Sequence, residues 1–176
     1  MIEYRRLYND DINRNLFLNF VRHQVVVKCW RRNGDIWEIK DDPFIDDWSE
    51  NDYNELIAEL KNIIKDNGFV YGAFINGKLK GFASASALLF GKNNEYIDLT
   101  NLHVSEDVRR NGIGKALFNA VKKWSKSKGA EKLYISSHSA VESQSFYRDL
   151  GCVDAKEYSL KHINAEPFDC QLEYLL

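Results

Sequence analysis

The sequence predicts an α+β domain in which helices flank a mixed sheet, and three observations carry that prediction. Asn76-Gly77 sits between two apolar, strand-like runs, the strongest short hairpin signal. A strand–helix–strand unit spans 96–137 and calls for a right-handed crossover. Its helix is strongly two-sided: Ile113, Ala116, Leu117, Ala120, Val121 and Trp124 recur at i, i+3, i+4 and i+7, while Lys122, Lys123 and Lys126 fall outside that stripe.

The elements follow in order. Residues 2–7 alternate as a first strand, and Ile12, Leu16, Phe17 and Phe20 give one apolar side to a helix over 12–21. Residues 24–43 fit strand or helix at VVVKCW and a turn at NGDIWEI. Ser49 with Asp52 reads as an N-cap and its N3 partner. Tyr53, Leu56, Ile57, Leu60, Ile63 and Ile64 then continue at helical spacing until Gly68 stops the helix. Strands are expected at 69–75, 78–88, 96–104 and 132–137, with a helix over 141–150 ended by Gly151. Two last strands lie near 152–159 and 168–175.

The length of 176 residues suits one domain, 1–176. With 44% hydrophobic and 28% charged residues the chain can build a core under a charged surface, which excludes global disorder. Lys plus Arg number 24 against 26 Asp plus Glu, a net charge of −2 that argues against a dedicated nucleic-acid binder. No apolar run approaches the roughly 18 residues of a membrane helix, and MIEYRRLYNDD has no secretory stretch, so no membrane association is expected. Cys29, Cys152 and Cys170 are odd in number and far apart, and His23, His103, His138 and His162 are scattered. Neither a disulfide framework nor a metal site is expected, and a reducing cytoplasm is the default compartment.

The charge is poorly mixed. DDPFIDDWSENDYNE, from Asp41 to Glu55, holds seven acids and no base; RRNGIGKALFNAVKKWSKSK, from Arg109 to Lys128, holds seven bases and no acid. Most of these side chains read as solvated faces. The basic segment, however, lies between a strand and the start of the clearest helix. A helix N-terminus presents unpaired N–H groups and the positive end of the macrodipole. Gly112 and Gly114 let an anion approach those amides, and Arg109, Arg110 and Lys115 attract it. Diphosphate is the expected guest. A Walker loop is disfavoured because Ala116 follows Lys115, and a dinucleotide fingerprint because Leu117 holds the third glycine position.

Leu102-His103-Val104 followed by Arg109-Arg110-Asn111-Gly112-Ile113-Gly114 resembles the R/Q-x-x-G-x-G/A segment of the GNAT acetyltransferases. SQSFYRDLGC, with Phe146, Tyr147, Leu150 and Gly151, resembles their second signature, an aromatic pair ahead of Leu-Gly. The detailed resemblance covers about residues 96–152. It implies a three-layer α/β arrangement around a mostly antiparallel sheet of about six or seven strands, with acetyl-CoA as co-substrate and no metal. It further implies that the amides of Arg110 through Lys115, Ile113 included, hold the pyrophosphate and that Leu102 to Val104 pair with pantetheine as an added strand. A strand bulge there would aim an amide at the thioester oxygen. Ser143, Phe146 and Tyr147 border the cofactor in this resemblance. Where many members carry Asn this chain has Ala140, leaving Ser139 or Ser143 to substitute.

Amine attack on a thioester needs a neutral amine, a polarised carbonyl and a protonated leaving thiol. The resemblance gives the general-acid role to Tyr147 and puts Asp98 where many members carry an acid that orders a water. His103 has the ordinary pKa of about 6.5 that suits base work. Strict alternation puts Asp98 and His103 on opposite faces of the strand unless a bulge intervenes. Glu142, His138, or direct loss of the proton to water stay open as alternatives. The acceptor arrives as a cation, so Asp46, Asp47 or Asp52 would attract it between walls of Trp30, Trp37, Phe44 and Trp48.

The expected acceptor is thus a small amine, such as a polyamine, amino-sugar or antibiotic-like compound, and the general resemblance extends to streptothricin acetyltransferases. Transfer to a protein N-terminus or lysine is the second reading, and a non-catalytic acyl-CoA sensor the third. A monomer or homodimer suits each.

Overall fold

The computed structural model describes residues 1–34 and 36–176. Its elements run β1 (Ile2–Arg6), β2 (His23–Asn33), β3 (Ile36–Asp47), α1 (Glu50–Lys65), β4 (Phe69–Ile75), β5 (Lys78–Phe90), β6 (Tyr96–Val104), α2 (Ile113–Ser127), β7 (Lys132–Ser137), α3 (Val141–Asp149), β8 (Val153–Asp154), α4 (Leu160–Ala165) and β9 (Cys170–Leu175). Seven strands form one sheet in the order β1-β4-β5-β6-β7-β9-β8, and β2 with β3 forms a separate hairpin. Every ladder is antiparallel except β6 with β7.

Three layers result. On one face of the sheet α2 and α3 bury Ile113, Leu117, Phe118, Val121 and Tyr147 against Ala83, Ile97, Leu133 and Leu172. On the other, α1 buries Tyr53, Leu56 and Leu60 against Val70, Phe74 and Phe82. Phe82 is fully buried, with its ring 5.6 Å from that of Phe17 and 5.5 Å from that of Phe20. Emptying a buried Phe site of this kind costs about 3–5 kcal/mol, so this aromatic cluster is a large part of what fixes α1 to the sheet.

The capping expectation at α1 holds: Ser49 accepts from the Asp52 amide and the Asp52 carboxylate accepts from the Ser49 amide. The stop differs in detail. Asn67 takes the left-handed turn at φ 62°, whereas Gly68 is needed for space, since a Cβ there would lie 2.7 Å from the Ala85 carbonyl oxygen.

Two expectations require correction, and one open alternative is resolved. The helix over 12–21 is instead two short 3-10 turns, Asn9–Asp11 and Arg14–Phe17. Asn13 caps the second by accepting from the Leu16 amide, which ends one turn and starts another. The apolar side was real, because Ile12, Phe17 and Phe20 are buried. The ambiguous 24–43 segment resolves into the β2–β3 hairpin, which extends to Asp47 and absorbs the first half of the acidic stretch. Of the expected NGDIWEI turn, Asp35 lies outside the described residues. Near the C-terminus the strand at 152–159 shrinks to Val153–Asp154, and the chain then forms α4.

Among the described residues no helix is long and apolar enough to cross a membrane. Cys29, Cys152 and Cys170 are buried free thiols.

Candidate functional site

The parallel ladder between β6 and β7 lasts only from Tyr96–Lys132 to Asp98–Tyr134. Beyond Asp98 the strands part, and the edge of β6 from Leu99 to Val104 has no ladder partner on that side among the described residues. The cause is visible against β5, where Leu99 pairs with Ala85 and Asn101 with Ser84, so Thr100 is the extra residue of a bulge. The bulge also resets the alternation. Leu99, Leu102 and Val104 pack on the α2 side. Asn101 donates to Glu59 of α1 at 3.0 Å, and the His103 ring lies 5.4 Å from Phe82 on that same side. Asp98, beside Glu59 and Asn62, thus shares a face with His103, the arrangement that only a bulge permits.

After Val104 the chain makes a short turn, Glu106–Val108, and enters α2 through Arg110 at φ 65° and Gly112 at φ 76°. Left-handed residues close together turn successive amides toward one side, the backbone arrangement that cradles anions. The two glycines do different jobs. A Cβ on Gly112 would meet nothing within 4 Å, so this position opens to the cleft. A Cβ on Gly114 would come within 3.1 Å of the Phe146 ring, so this glycine lets α3 pack against α2. Arg110, Asn111 and Lys115 are exposed. Arg109 is instead tied down, donating from Nη2 to the His23 carbonyl at 2.9 Å and thereby fixing the β2 hairpin to the cradle.

These parts line a cleft of about 770 Å³ between the parted strands, with Leu99 to Val104 on one wall, Arg109, Arg110 and Gly112 to Lys115 at one end, and Ser143, Phe146 and Tyr147 on α3. Tyr147 is 9% exposed, in edge contact with Phe118 and Phe146. Burial, with Cys152 and Asp169 adding to it, pushes its phenol well above the ordinary range. Ser143 faces the cleft, whereas Ser139 is engaged by the hairpin, its hydroxyl accepting from Arg31 Nη1 at 2.5 Å. Ala140 pairs with Cys29 in an isolated bridge. His138 and Glu142 also line this cleft.

Sequence reasoning missed Arg22, just before β2, and Gln24 and Val25 of β2, which line the cleft. Their placement depends on long-range packing of the hairpin, which leaves no local signal.

His103 lines the same cleft with its ring 4.8 Å from Trp48. Burial first, then the Arg22 and Arg109 charges, lower its pKa to about 3. The ordinary value that recommended it as a base is therefore not the one it has in the fold. The unfolded chain takes a proton here near 6.5 and the native state only near 3, so between those pH values the unfolded state binds more protons. Stability accordingly falls as pH drops through that window. His103→Gln is expected to flatten this limb in thermal unfolding followed from pH 7 to pH 4; an unchanged slope contradicts the assignment.

The acidic stretch is spent on structure. Asp46 pairs with Arg22, Asp47 lies 2.6 Å from His23 Nδ1, and Asp52 caps α1. Trp48 packs with Phe20, Tyr53 and Phe82, and Phe44 lies against His138.

Asp98 opens instead onto a second cleft of about 430 Å³ on the α1 side, lined by Glu59, Asp66, Thr100, Lys161 and His162 among others. Its Oδ2 lies 2.8 Å from His162 Nε2, and His162 Nδ1 lies 2.8 Å from Ser159 Oγ. Thr100, the extra residue of the bulge, is in the lining of both clefts. Among the described residues no group of three or more His, Cys, Asp or Glu is placed to hold a metal ion.

The Acetyltransferase (GNAT) family model matches residues 33–152. Among the curated proteins none matches this sequence. Solved structures are similar in fold over the whole chain. A protein described as a streptothricin acetyltransferase from Bacillus anthracis str. Ames, in complex with acetyl coenzyme A, superposes with a TM-score of 0.70 at 19% identity, covering 100% of this chain and 98% of its own. A nourseothricin acetyltransferase gives 0.70 at 15% identity, covering 98% and 95%. A PaiA N-acetyltransferase from Thermoplasma acidophilum, in complex with coenzyme A, gives 0.62 at 18% identity, covering 100% and 99%.

Proposed function

This chain belongs to the GNAT acetyltransferase family, and from that premise we propose that it moves an acetyl group from acetyl-CoA to a primary amine of a small or medium-sized acceptor, by direct attack in a ternary complex. One observation carries the reading: the cradle at Arg110 to Lys115 opens onto the unpaired edge of β6. A linear molecule with a diphosphate at one end and amide groups along its arm fits both features at once.

The residues divide the work by chemistry. Amides from Arg110 to Lys115 and the positive end of α2 hold the pyrophosphate, with the Arg110 and Lys115 charges beside it. Leu102 to Val104 offer main-chain donors and acceptors to the pantetheine arm. Ser143, Phe146 and Tyr147 wall the far side. Acetyl-CoA supplies a thioester carbon that an amine can attack. The ammonium of the acceptor first gives one proton to Asp98, directly or through a water, so that the neutral amine attacks. As the C–N bond forms and the C–S bond breaks, Tyr147 gives its proton to the leaving sulfur and regains one from the nitrogen, leaving amide, free thiol and protonated Asp98. Because burial holds the Tyr147 phenol protonated at physiological pH, it serves as a donor and not as a base.

Two of the fold neighbours are named for streptothricin and nourseothricin, which supports a small-molecule acceptor here. Three buried thiols suit a reducing cytoplasm. Thiol release from acetyl-CoA with a panel of polyamines, amino-sugars and lysine peptides tests the reading. Acceleration by small amines and not by peptides is expected. Tight acetyl-CoA binding with no acceleration by any amine contradicts it and favours a sensor.

A further inference from the structure

Across the larger cleft from the free edge of β6 stands the end of β7 and the turn into α3, where Ser136, Ser137 and His138 line the wall. His138 is held there on every side but one. Its Nδ1 lies 2.9 Å from the Ala140 amide nitrogen. Its carbonyl accepts from Gln144 Nε2 at 2.8 Å, and its ring lies 5.0 Å from that of Phe44 on β3. The β2–β3 hairpin stiffens the same corner, because the Trp30 amide donates to the Ser139 carbonyl at 2.8 Å and Cys29 bridges Ala140.

A backbone amide only donates, so Nδ1 is the accepting nitrogen of the ring and the hydrogen sits on Nε2. Nε2 has no partner among the described residues, and it is not one of their polar atoms sealed from solvent. The other side chains at this end of β7 are engaged or apolar. Ser136 Oγ is held by Asp169 and Gln171, Ser137 Oγ donates to the His138 carbonyl, and the Ser139 hydroxyl accepts from Arg31. Ala140 has no polar side chain.

We infer that His138 is a binding residue for the arm of the cofactor, its Nε2–H donating to an amide carbonyl of pantetheine from the side opposite Leu102 to Val104. His138 in this role presupposes the acetyl-CoA reading and gives the arm its second wall. An extended chain paired along one edge still presents polar groups along its other edge, and these need partners once the arm leaves water. The same tautomer sets His138 aside as a general base, since one ring nitrogen already carries hydrogen and the other is occupied by an amide.

Titration calorimetry with acetyl-CoA and with 3′-phospho-ADP, which keeps the nucleotide and lacks the arm, tests this on two variants. His138→Asn retains an acceptor for the Ala140 amide, as in an Asx turn, and loses the Nε2 donor. His138→Gln retains a donor near the Nε2 position and loses that acceptor. His138→Asn is expected to weaken acetyl-CoA binding about three- to tenfold, the span of one neutral hydrogen bond, while 3′-phospho-ADP affinity stays within about twofold. His138→Gln should recover part of the loss. A purely structural role predicts the opposite order, with His138→Gln the weaker binder, and that order overturns the inference. Nitrogen NMR of the parent labelled with 15N-histidine reads the same atom directly: Nε2 should carry the hydrogen and shift with acetyl-CoA but not with 3′-phospho-ADP. A hydrogen on Nδ1, an Nε2 unmoved at saturation, or unchanged acetyl-CoA affinity in His138→Asn overturns the inference and leaves the cofactor reading standing. Equal losses with both ligands overturn it by moving the effect to the nucleotide. A parent that binds no acetyl-CoA removes both readings.

Discussion

Gly112→Asp is expected to weaken acetyl-CoA binding at least a hundredfold while the protein still folds. The backbone at Gly112 has φ 76°, and a Cβ there meets nothing within 4 Å. Asp tolerates the left-handed region better than most residues, so the strain is small. Its carboxylate would project into the opening that the diphosphate needs. One unit charge about 5 Å from another costs roughly 3 kcal/mol at an effective dielectric of 20, and each 1.4 kcal/mol is tenfold in affinity. Gly112→Asn has nearly the same shape without the charge and should lose much less. Titration calorimetry on both variants, with circular dichroism to verify folding, separates repulsion from crowding. Equal affinity in the Asp variant and the parent contradicts the cradle.

Tyr147→Phe is expected to lower kcat by about a hundredfold to ten-thousandfold, the usual range for losing a positioned proton donor. The ring contacts with Phe118 and Phe146 survive, because only the hydroxyl is removed. Acetyl-CoA affinity should therefore change little, which marks an interaction made in the transition state and not in the ground state. A rate within twofold of the parent contradicts the general-acid role. A parallel loss of affinity would reassign Tyr147 to holding the arm of the cofactor.

The parts of the fold built from local periodicity were legible in the sequence. β4, β6, α2 and β7 lie where their patterns put them, and the Asn76-Gly77 turn joins β4 to β5. Elements whose identity depends on distant packing were less legible. Residues 12–21 carry a helical apolar spacing, yet Asn13 interrupts the backbone and the side chains reach the same core from 3-10 turns. For the β2–β3 hairpin the partners that settle it, the Ser139 carbonyl and the Ala140 bridge, lie more than a hundred residues away.

The same division runs through the site. The glycine turn that opens α2 is one continuous stretch of sequence, so its local geometry was legible there. The face of Asp98 was not, because a bulge at Thr100 reverses the alternation and only the β5 register reveals it. His162 read as one of four scattered histidines, since nothing local announces that α4 returns to β6.

The central claim is that main-chain nitrogens opening α2 gather a diphosphate. Amide NMR of the 15N-labelled protein, titrated with acetyl-CoA, addresses those nitrogens one by one. Large saturable shifts confined to residues 110–115, with smaller ones along 99–104, are the predicted result. Saturable binding that leaves the amides of Gly112, Ile113 and Gly114 unmoved would place the cofactor elsewhere and contradict the account.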